Sequence, residues 1–216
     1  MTASVAPTFD AVLRAAAVGD DTGARLVDRA GRWRPLDPLG WHAKEIPGDT
    51  GLLSRTSGST LDVGCGPGRL TAALAGRGRI ALGIDVSRAA VRSTLRRGGP
   101  ALLSDVFAPL PLEGSWRSVL LADGNIGIGG DPIRLLRRCA GLLTPDGRII
   151  AELDPPGMPF WAGEVRLHTH HGAESPPLRW AYVGVDDIAA VAAAAAMRVH
   201  STWTEANRWF ATLTRP

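Results

Sequence analysis

Lysine is almost missing from this chain: Lys44 is the only one among 24 lysine and arginine residues. The cationic side chains are therefore arginines, and they stand scattered among 21 acids rather than in one stripe, which disfavours nucleic acid as a partner. The densest groups, Arg92, Arg96, Arg97 and Arg134, Arg137, Arg138, fall at helical spacing and read as solvated helix faces. Cysteine is scarce too. Cys65 sits in a glycine-rich loop and Cys139 in a helical stretch, so no disulfide framework is expected and a reducing cytoplasm fits. No apolar run approaches the ~20 residues of a membrane-spanning helix. Met1 to Pro7 also lacks a basic start followed by an apolar core, so neither a secreted nor a membrane protein is expected. No internal repeat is visible.

What is present is enough for one good-sized core: 216 residues, 45% of them hydrophobic. The most informative stretch runs from Leu61 to Leu70. Three residues of strand character, Leu61-Asp62-Val63, lead into glycine at every second position (Gly64, Gly66, Gly68), and helical apolar spacing begins at Leu70 and Leu74. A strand, a tight turn and a helix start follow from that order. Glycine serves the turn by accepting positive φ and lets a ligand press against the backbone, while the free N–H groups of the helix start face it. Two acids extend the pattern. Asp85 ends the run Ile80 to Ile84, where a carboxylate can accept both hydroxyls of a ribose, and Asp105 follows the run Ala101 to Ser104. Three successive strands thus each deliver a polar residue at the carboxyl end, the edge at which open α/β sheets bind ligands.

In order, an amphipathic helix is expected over about 8–18, with Thr8 as its cap and Gly19 as its stop. A short helix is read over about 23–30, then an irregular Pro- and Gly-rich stretch over 33–42. Strands are read at 59–63, 79–84, 101–104, 116–121 and 148–153. Helices lie between them: Ser87 caps the one running to Arg97, and Asp131-Pro132 opens the one ending near the turn Thr144-Pro145-Asp146-Gly147. Alternation at 164–168 and 178–183 suggests an inserted hairpin. An alanine-rich helix over 186–197 and two strands, 198–204 and 208–214, finish the chain.

Asp62-Val63-Gly64-Cys65-Gly66-Pro67-Gly68, with Gly83-Ile84-Asp85-Val86-Ser87 and Ser104-Asp105-Val106, resembles the class I S-adenosylmethionine-dependent methyltransferases, from about Leu61 to Asp154 and more faintly beyond. A nicotinamide-binding domain would instead read G-x-G-x-x-G, whereas here the third glycine comes one position early and Arg69 holds the rival's last place. The resemblance implies an α/β three-layer sandwich, with a Rossmann-like seven-stranded, mostly parallel sheet and an antiparallel last strand. It further implies a single methyltransferase domain over 1–216: an N-terminal helical cap to about residue 50, a cofactor-binding core over about 59–154, an insertion near the acceptor site over about 158–183, and a closing helix and strand pair over about 186–216. S-adenosyl-L-methionine is the implied cofactor and S-adenosyl-L-homocysteine its product. The implied cofactor residues are Asp62, Gly64, Cys65, Gly66, Gly68, Asp85, Val86, Asp105, Val106, Asp123, Gly124 and Asn125.

The acceptor is expected to be a small molecule methylated at O, N or C, in a monomer or homodimer. Asp123-Gly124-Asn125 departs from the Asn-Pro-Pro-Tyr type of sequence that base and glutamine methyltransferases place there, which lowers the odds of a nucleic-acid base. The alternatives are a nucleic-acid or protein methyltransferase, a non-catalytic cofactor-binding relative and an NAD(P)-dependent oxidoreductase. Where a proton must be removed, His42, Asp123 and Asp154 are the candidate bases, though spacing fixes none of them. Trp41, Trp161, Trp180 and Tyr182 are candidate walls for the acceptor. His168 and His170 would share a strand face with His171 turned away and no cysteine or carboxylate pair at ligand spacing, so no metal is expected.

Overall fold

The computed structural model describes residues 6–216; Met1 to Val5, most of the stretch read as lacking a leader, lie outside them. The chain opens with α1 (Ala6–Ala16), β1 (Arg25–Asp28), β2 (Trp33–Pro35), α2 (Pro38–His42) and α3 (Asp49–Ser54). The central part alternates: β3 (Thr60–Val63), α4 (Arg69–Gly76), β4 (Ala81–Asp85), α5 (Arg88–Arg96), β5 (Ala101–Leu103) and β6 (Trp116–Leu121). A 3-10 turn (Asn125–Gly130), α6 (Pro132–Leu142) and β7 (Leu143–Leu153) follow. The last part holds β8 (Trp161–His168), β9 (Leu178–Tyr182), α7 (Ile188–Ala194), β10 (Arg198–Glu205) and β11 (Arg208–Thr214).

Seven strands form one sheet in the order β10-β11-β7-β6-β3-β4-β5. The pairs from β7 to β5 are parallel, and β11 runs antiparallel to both β7 and β10. Side chains of the central strands divide by period two between two cores, as strands covered on both faces must. Leu61, Val63, Val119, Leu121, Ile149 and Leu213 share one core with α6 and α7, while Leu120, Ala122, Ile150 and Phe210 share the other with α3 and α4. Helix starts follow the sequence: Ser87 Oγ accepts the Ala90 N–H at 3.0 Å, and Asp131 accepts the Arg134 N–H at 2.9 Å ahead of Pro132.

Four local expectations are corrected. Residues read as a short helix over 23–30 form β1, because Leu26 is buried against Leu167, its partner in β8, about 140 positions downstream. Trp33 to Pro35, read as irregular, is β2 and completes a second, four-stranded antiparallel sheet in the order β2-β1-β8-β9. The inserted hairpin is therefore half of a larger sheet shared with the N-terminal segment. Thr8 lies inside α1 rather than capping it. Finally, β7 starts at Leu143, which pairs with Trp116; the next pair is Ser118 with Arg148, so 144–147 loop out opposite Arg117.

Candidate active site

Between β3 and α4 the chain turns through Gly64, Gly66 and Gly68, whose φ angles are +71°, +52° and +89°. A side chain at Gly64 would be doubly excluded, since a Cβ there would lie 2.8 Å from the Asn125 amide. Gly66 lines the cleft, and the place of its missing Cβ has nothing within 4 Å. The loop is pinned by side chains from other elements. Thr94 Oγ1 donates to the Gly66 carbonyl at 3.0 Å, and Asn125 Nδ2 donates to the Val63 and Gly64 carbonyls at 3.0 and 2.9 Å. Asp85, at the end of β4, accepts the Gly66 N–H at 3.0 Å with one oxygen and the Ser87 N–H at 2.8 Å with the other. Burial pushes this carboxyl above the usual range, against the pull of those amides.

The loop borders a cleft of about 1010 Å³, open mouth included. Phe9 and Leu13 of α1, Leu26 of β1, Leu36, Trp41 of α2 and Trp180 of β9 close it from above. Two side chains hold α1 and α2 down. Asp10 accepts from the Ser87 hydroxyl and, at 3.2 Å, from the Ala89 N–H; Arg97 donates to the His42 and Ala43 carbonyls.

The floor carries charge. Asp62 is 2% exposed and accepts the Thr71 hydroxyl at 2.6 Å. Burial pushes its pKa up to about 6, with Asp123 and Asp85 acting the same way and Thr71 and Arg69 opposing. Arg69, the first residue of α4 and itself 3% exposed, reaches across to Asp49 with Nη1 and to both oxygens of Asp123 with Nη2, at 2.7 and 2.6 Å. Arg208 of β11 continues the network: it grips Glu152 through two bonds of 2.8 Å, Asp49 at 3.0 Å and Asp123 at 3.4 Å. Asp123 also holds a φ of +52°, and its N–H donates to Glu152 at 2.7 Å. Burial and the Glu152 charge push Asp123 upward, against Arg69 and Arg208. Nothing local in the sequence signals this network, whose members come from five separate elements or loops.

Of the residues singled out from the sequence, Asp62, Gly64, Cys65, Gly66, Asp85, Val86, Asp105, Val106, Asp123 and Asn125 line the cleft together with Trp41 and Trp180. Gly68 is buried behind it against Thr94. Gly124, Asp154 and Tyr182 line a separate, smaller notch beside Glu152. There Asp154 pairs with Arg34 at 2.5 Å, and the Arg34 guanidinium lies 3.7 Å from the centre of the Tyr182 ring. Trp161 packs against Tyr182, ring centres 5.5 Å apart. His42 stands outside the cleft wall, its Nε2 bonded to the Leu13 carbonyl at 3.0 Å; burial, with Arg97 and Arg96 nearby, pushes its pKa down. Among the described residues no group of three or more His, Cys, Asp or Glu side chains converges as a metal site would. Wall residues missed in the sequence include Leu13, Leu26, Leu36 and Arg69.

Residues 61–151 match the protein family described as a methyltransferase domain. No curated protein matches the sequence. Among solved structures, the chain is similar to an S-adenosylmethionine-dependent methyltransferase from Bacteroides fragilis in complex with S-adenosyl-L-homocysteine: 22% identity, 100% of this chain and 97% of that one covered, TM-score 0.78. It is similar to the CcbJ methyltransferase from Streptomyces caelestis at 16% identity, with 82% and 96% covered and a TM-score of 0.60. A third likeness is to the 1,6-didemethyltoxoflavin-N1-methyltransferase of Burkholderia thailandensis, with bound 1,6-didemethyltoxoflavin and S-adenosylhomocysteine, at 18% identity, 77% and 76% covered and a TM-score of 0.58.

Proposed function

We propose that the chain is a class I S-adenosylmethionine-dependent methyltransferase and that it methylates a small, largely apolar acceptor by holding it in line with the donor. S-adenosylmethionine supplies a sulfonium methyl already activated for attack. The residues present fit that cofactor. Gly66 offers backbone with open space beside it, and the Asp85 carboxylate, held by backbone N–H groups on both oxygens, is placed to accept from ribose hydroxyls. Asp105 and the Val106 amide take the adenine end, the Gly64 to Gly66 backbone the methionine portion, and Asp62 and Asp123 the cationic end.

The observation that carries the acceptor reading is the cover of the cleft. Six apolar side chains from α1, β1, β9 and the segment between β2 and α3 close over it, leaving room for a compact molecule and supplying aromatic surface through Trp41 and Trp180. The didemethyltoxoflavin enzyme, with its small acceptor bound, is a relative of that kind. Asp123 is clamped on both oxygens by Arg69, and His42 and Asp154 lie outside the cleft wall. Positioning is therefore the main catalytic contribution, and holding two reactants in line supplies about 7–11 kcal/mol on its own. Cys65 and Cys139 are both free thiols, in keeping with a cytoplasmic setting.

Turnover of S-adenosylmethionine to S-adenosylhomocysteine, followed against a panel of small aromatic alcohols and amines, a tRNA pool and a protein lysate, tests the proposal. Methylation confined to the small compounds is expected. Label transferred only to RNA or protein refutes the acceptor class, and NAD binding in place of S-adenosylhomocysteine refutes the cofactor.

A further inference from the structure

A second concave bay, of about 1900 Å³ with its open mouth included, lies beside the cleft and shares Val86, Ser104 and Asp105 with it as walls. Four arginines from four different elements line it: Arg14 of α1, Arg88 of α5, Arg134 of α6 and Arg179 of β9. Arg14 pairs with Asp10 at 3.6 Å, whereas the guanidinium groups of Arg88, Arg134 and Arg179 have neither an acid nor a hydrogen-bond acceptor among the described residues. Arg134 is nevertheless held in place. Its guanidinium lies 4.2 Å from the centre of the Phe107 ring, a contact that uses none of its N–H donors. The ring is itself propped: the Phe107 N–H donates to Asp105 at 3.0 Å, and Gly129, whose φ is +80°, leaves the ring its space, since a Cβ there would lie 3.0 Å from it. The neighbours of Arg134 on α6 are bound elsewhere, Arg137 to the Ala194 carbonyl and Arg138 to the Val106 and Ala108 carbonyls and Glu113, so of that group only Arg134 serves the bay.

Two acids line the bay, and both already accept hydrogen bonds: Asp10 from the Ser87 hydroxyl and the Ala89 N–H, Asp105 from the Phe107 N–H. Positive charge is left in excess, on planar forks that match the oxygens of a phosphate. Cations converging from four elements on one concavity suit a ligand whose charge is concentrated in a few atoms, as it is in linked phosphates. The carboxylates of an acidic peptide are spaced along its backbone, and a nucleic-acid strand calls for a continuous basic stripe. We propose that this bay is a binding site for a ligand carrying two or more linked phosphates, separate from the cleft. The shared walls seat that ligand beside the adenine end of the cofactor. This neighbourhood rests on the cofactor reading above; the phosphate site itself does not.

Calorimetric titration of the full chain with pyrophosphate at low ionic strength tests this. Pyrophosphate should bind about ten-fold or more tighter than inorganic phosphate. Arg134→Gln and Arg179→Gln, both at exposed positions, should each weaken it by about five-fold or more. Arg92→Gln, which removes an exposed cation of α5 outside the bay, should leave it unchanged. Saturating S-adenosylhomocysteine should leave pyrophosphate bound. With S-adenosylhomocysteine present, ADP distinguishes the sources of the phosphates: tighter binding than pyrophosphate assigns the bay to nucleotides and equal binding to free polyphosphates, and either result supports the site. No binding of pyrophosphate, a loss in Arg92→Gln equal to that in Arg134→Gln, or displacement by S-adenosylhomocysteine overturns the proposal. So does binding of single-stranded RNA or polyglutamate that Arg134→Gln abolishes while pyrophosphate goes unbound, which would make the bay a docking surface for a macromolecule. Failure of S-adenosylhomocysteine to bind a chain that still takes pyrophosphate would instead bring down the cofactor reading and leave this site standing.

Discussion

Asp62→Asn preserves the outline of a side chain that is 2% exposed and keeps an oxygen to accept the Thr71 hydroxyl, but it removes the charge. In the folded chain this carboxyl titrates at about 6, against an ordinary value of 3.8. A raised carboxyl pKa means that the folded state holds the proton more tightly than the unfolded state. Its contribution to stability is therefore greatest below the ordinary pKa, declines as pH rises from about 4 to about 6, and stays lost above that. The full shift corresponds to about 3 kcal/mol, of which about 2 kcal/mol falls between pH 4 and pH 8. Asparagine does not titrate, so the stability difference between variant and wild type should move in the variant's favour by that amount over the same interval. For a domain of this size, that moves the difference in melting temperature by about 4–8 °C. The offset at any single pH also contains the cost of a newly buried amide N–H, so the slope of the difference against pH is the quantity to measure. Scanning calorimetry of both proteins without cofactor, at pH steps from 4 to 8, gives it. Parallel curves would refute the reasoning and mean that the carboxylate is paired or solvated in a way its surroundings do not suggest. With S-adenosylmethionine present the wild-type curve should flatten, because a cation in the cleft favours the ionised acid.

Two further outcomes follow from the site. Asp85→Ala removes the acceptor we propose for the ribose hydroxyls, and a charged hydrogen bond of about 1.5–3 kcal/mol implies a loss in S-adenosylhomocysteine affinity of roughly ten- to a hundred-fold; an unchanged titration would take Asp85 out of the site. Burial pushes the Cys139 thiol up to about 12 and, with the charges of Asp62 and Asp85 nearby, raises Cys65 as well. A thiol reagent at pH 8 should therefore label neither until the chain unfolds, and fast labelling of the folded protein would contradict this.

The legible parts of the sequence were those whose causes are local. Gly64 and Gly66 announce a turn because their backbone angles demand glycine, Ser87 and Asp131-Pro132 announce helix starts because capping is a short-range bond, and the apolar runs of β3, β6 and β7 announce strands buried on both faces. What escaped notice depends on distant partners. Leu26 is a strand residue only because Leu167 lies beside it, and a four-residue strand carries too little periodicity to outvote a helical reading. Arg69 read as the residue in a rival motif's glycine position, yet its side chain organises the cleft floor. Asp49, Asp123, Glu152 and Arg208 meet it or one another only once α3, α4, β6, β7 and β11 have been assembled. The cover of the cleft was legible only in part: Trp41 and Trp180 stood out as candidate walls, whereas Leu26 and Leu36 join them only through the fold.

The four-stranded sheet bears on any attempt to re-engineer the wall of the cleft. Exchanging only the segment that carries β8 and β9 for that of a relative would replace one of the two strands β1 pairs with and leave Leu26 facing a surface it was not shaped for. A graft that keeps this sheet intact has to transplant residues 25–35 along with residues 161–182, as one swappable module in two pieces.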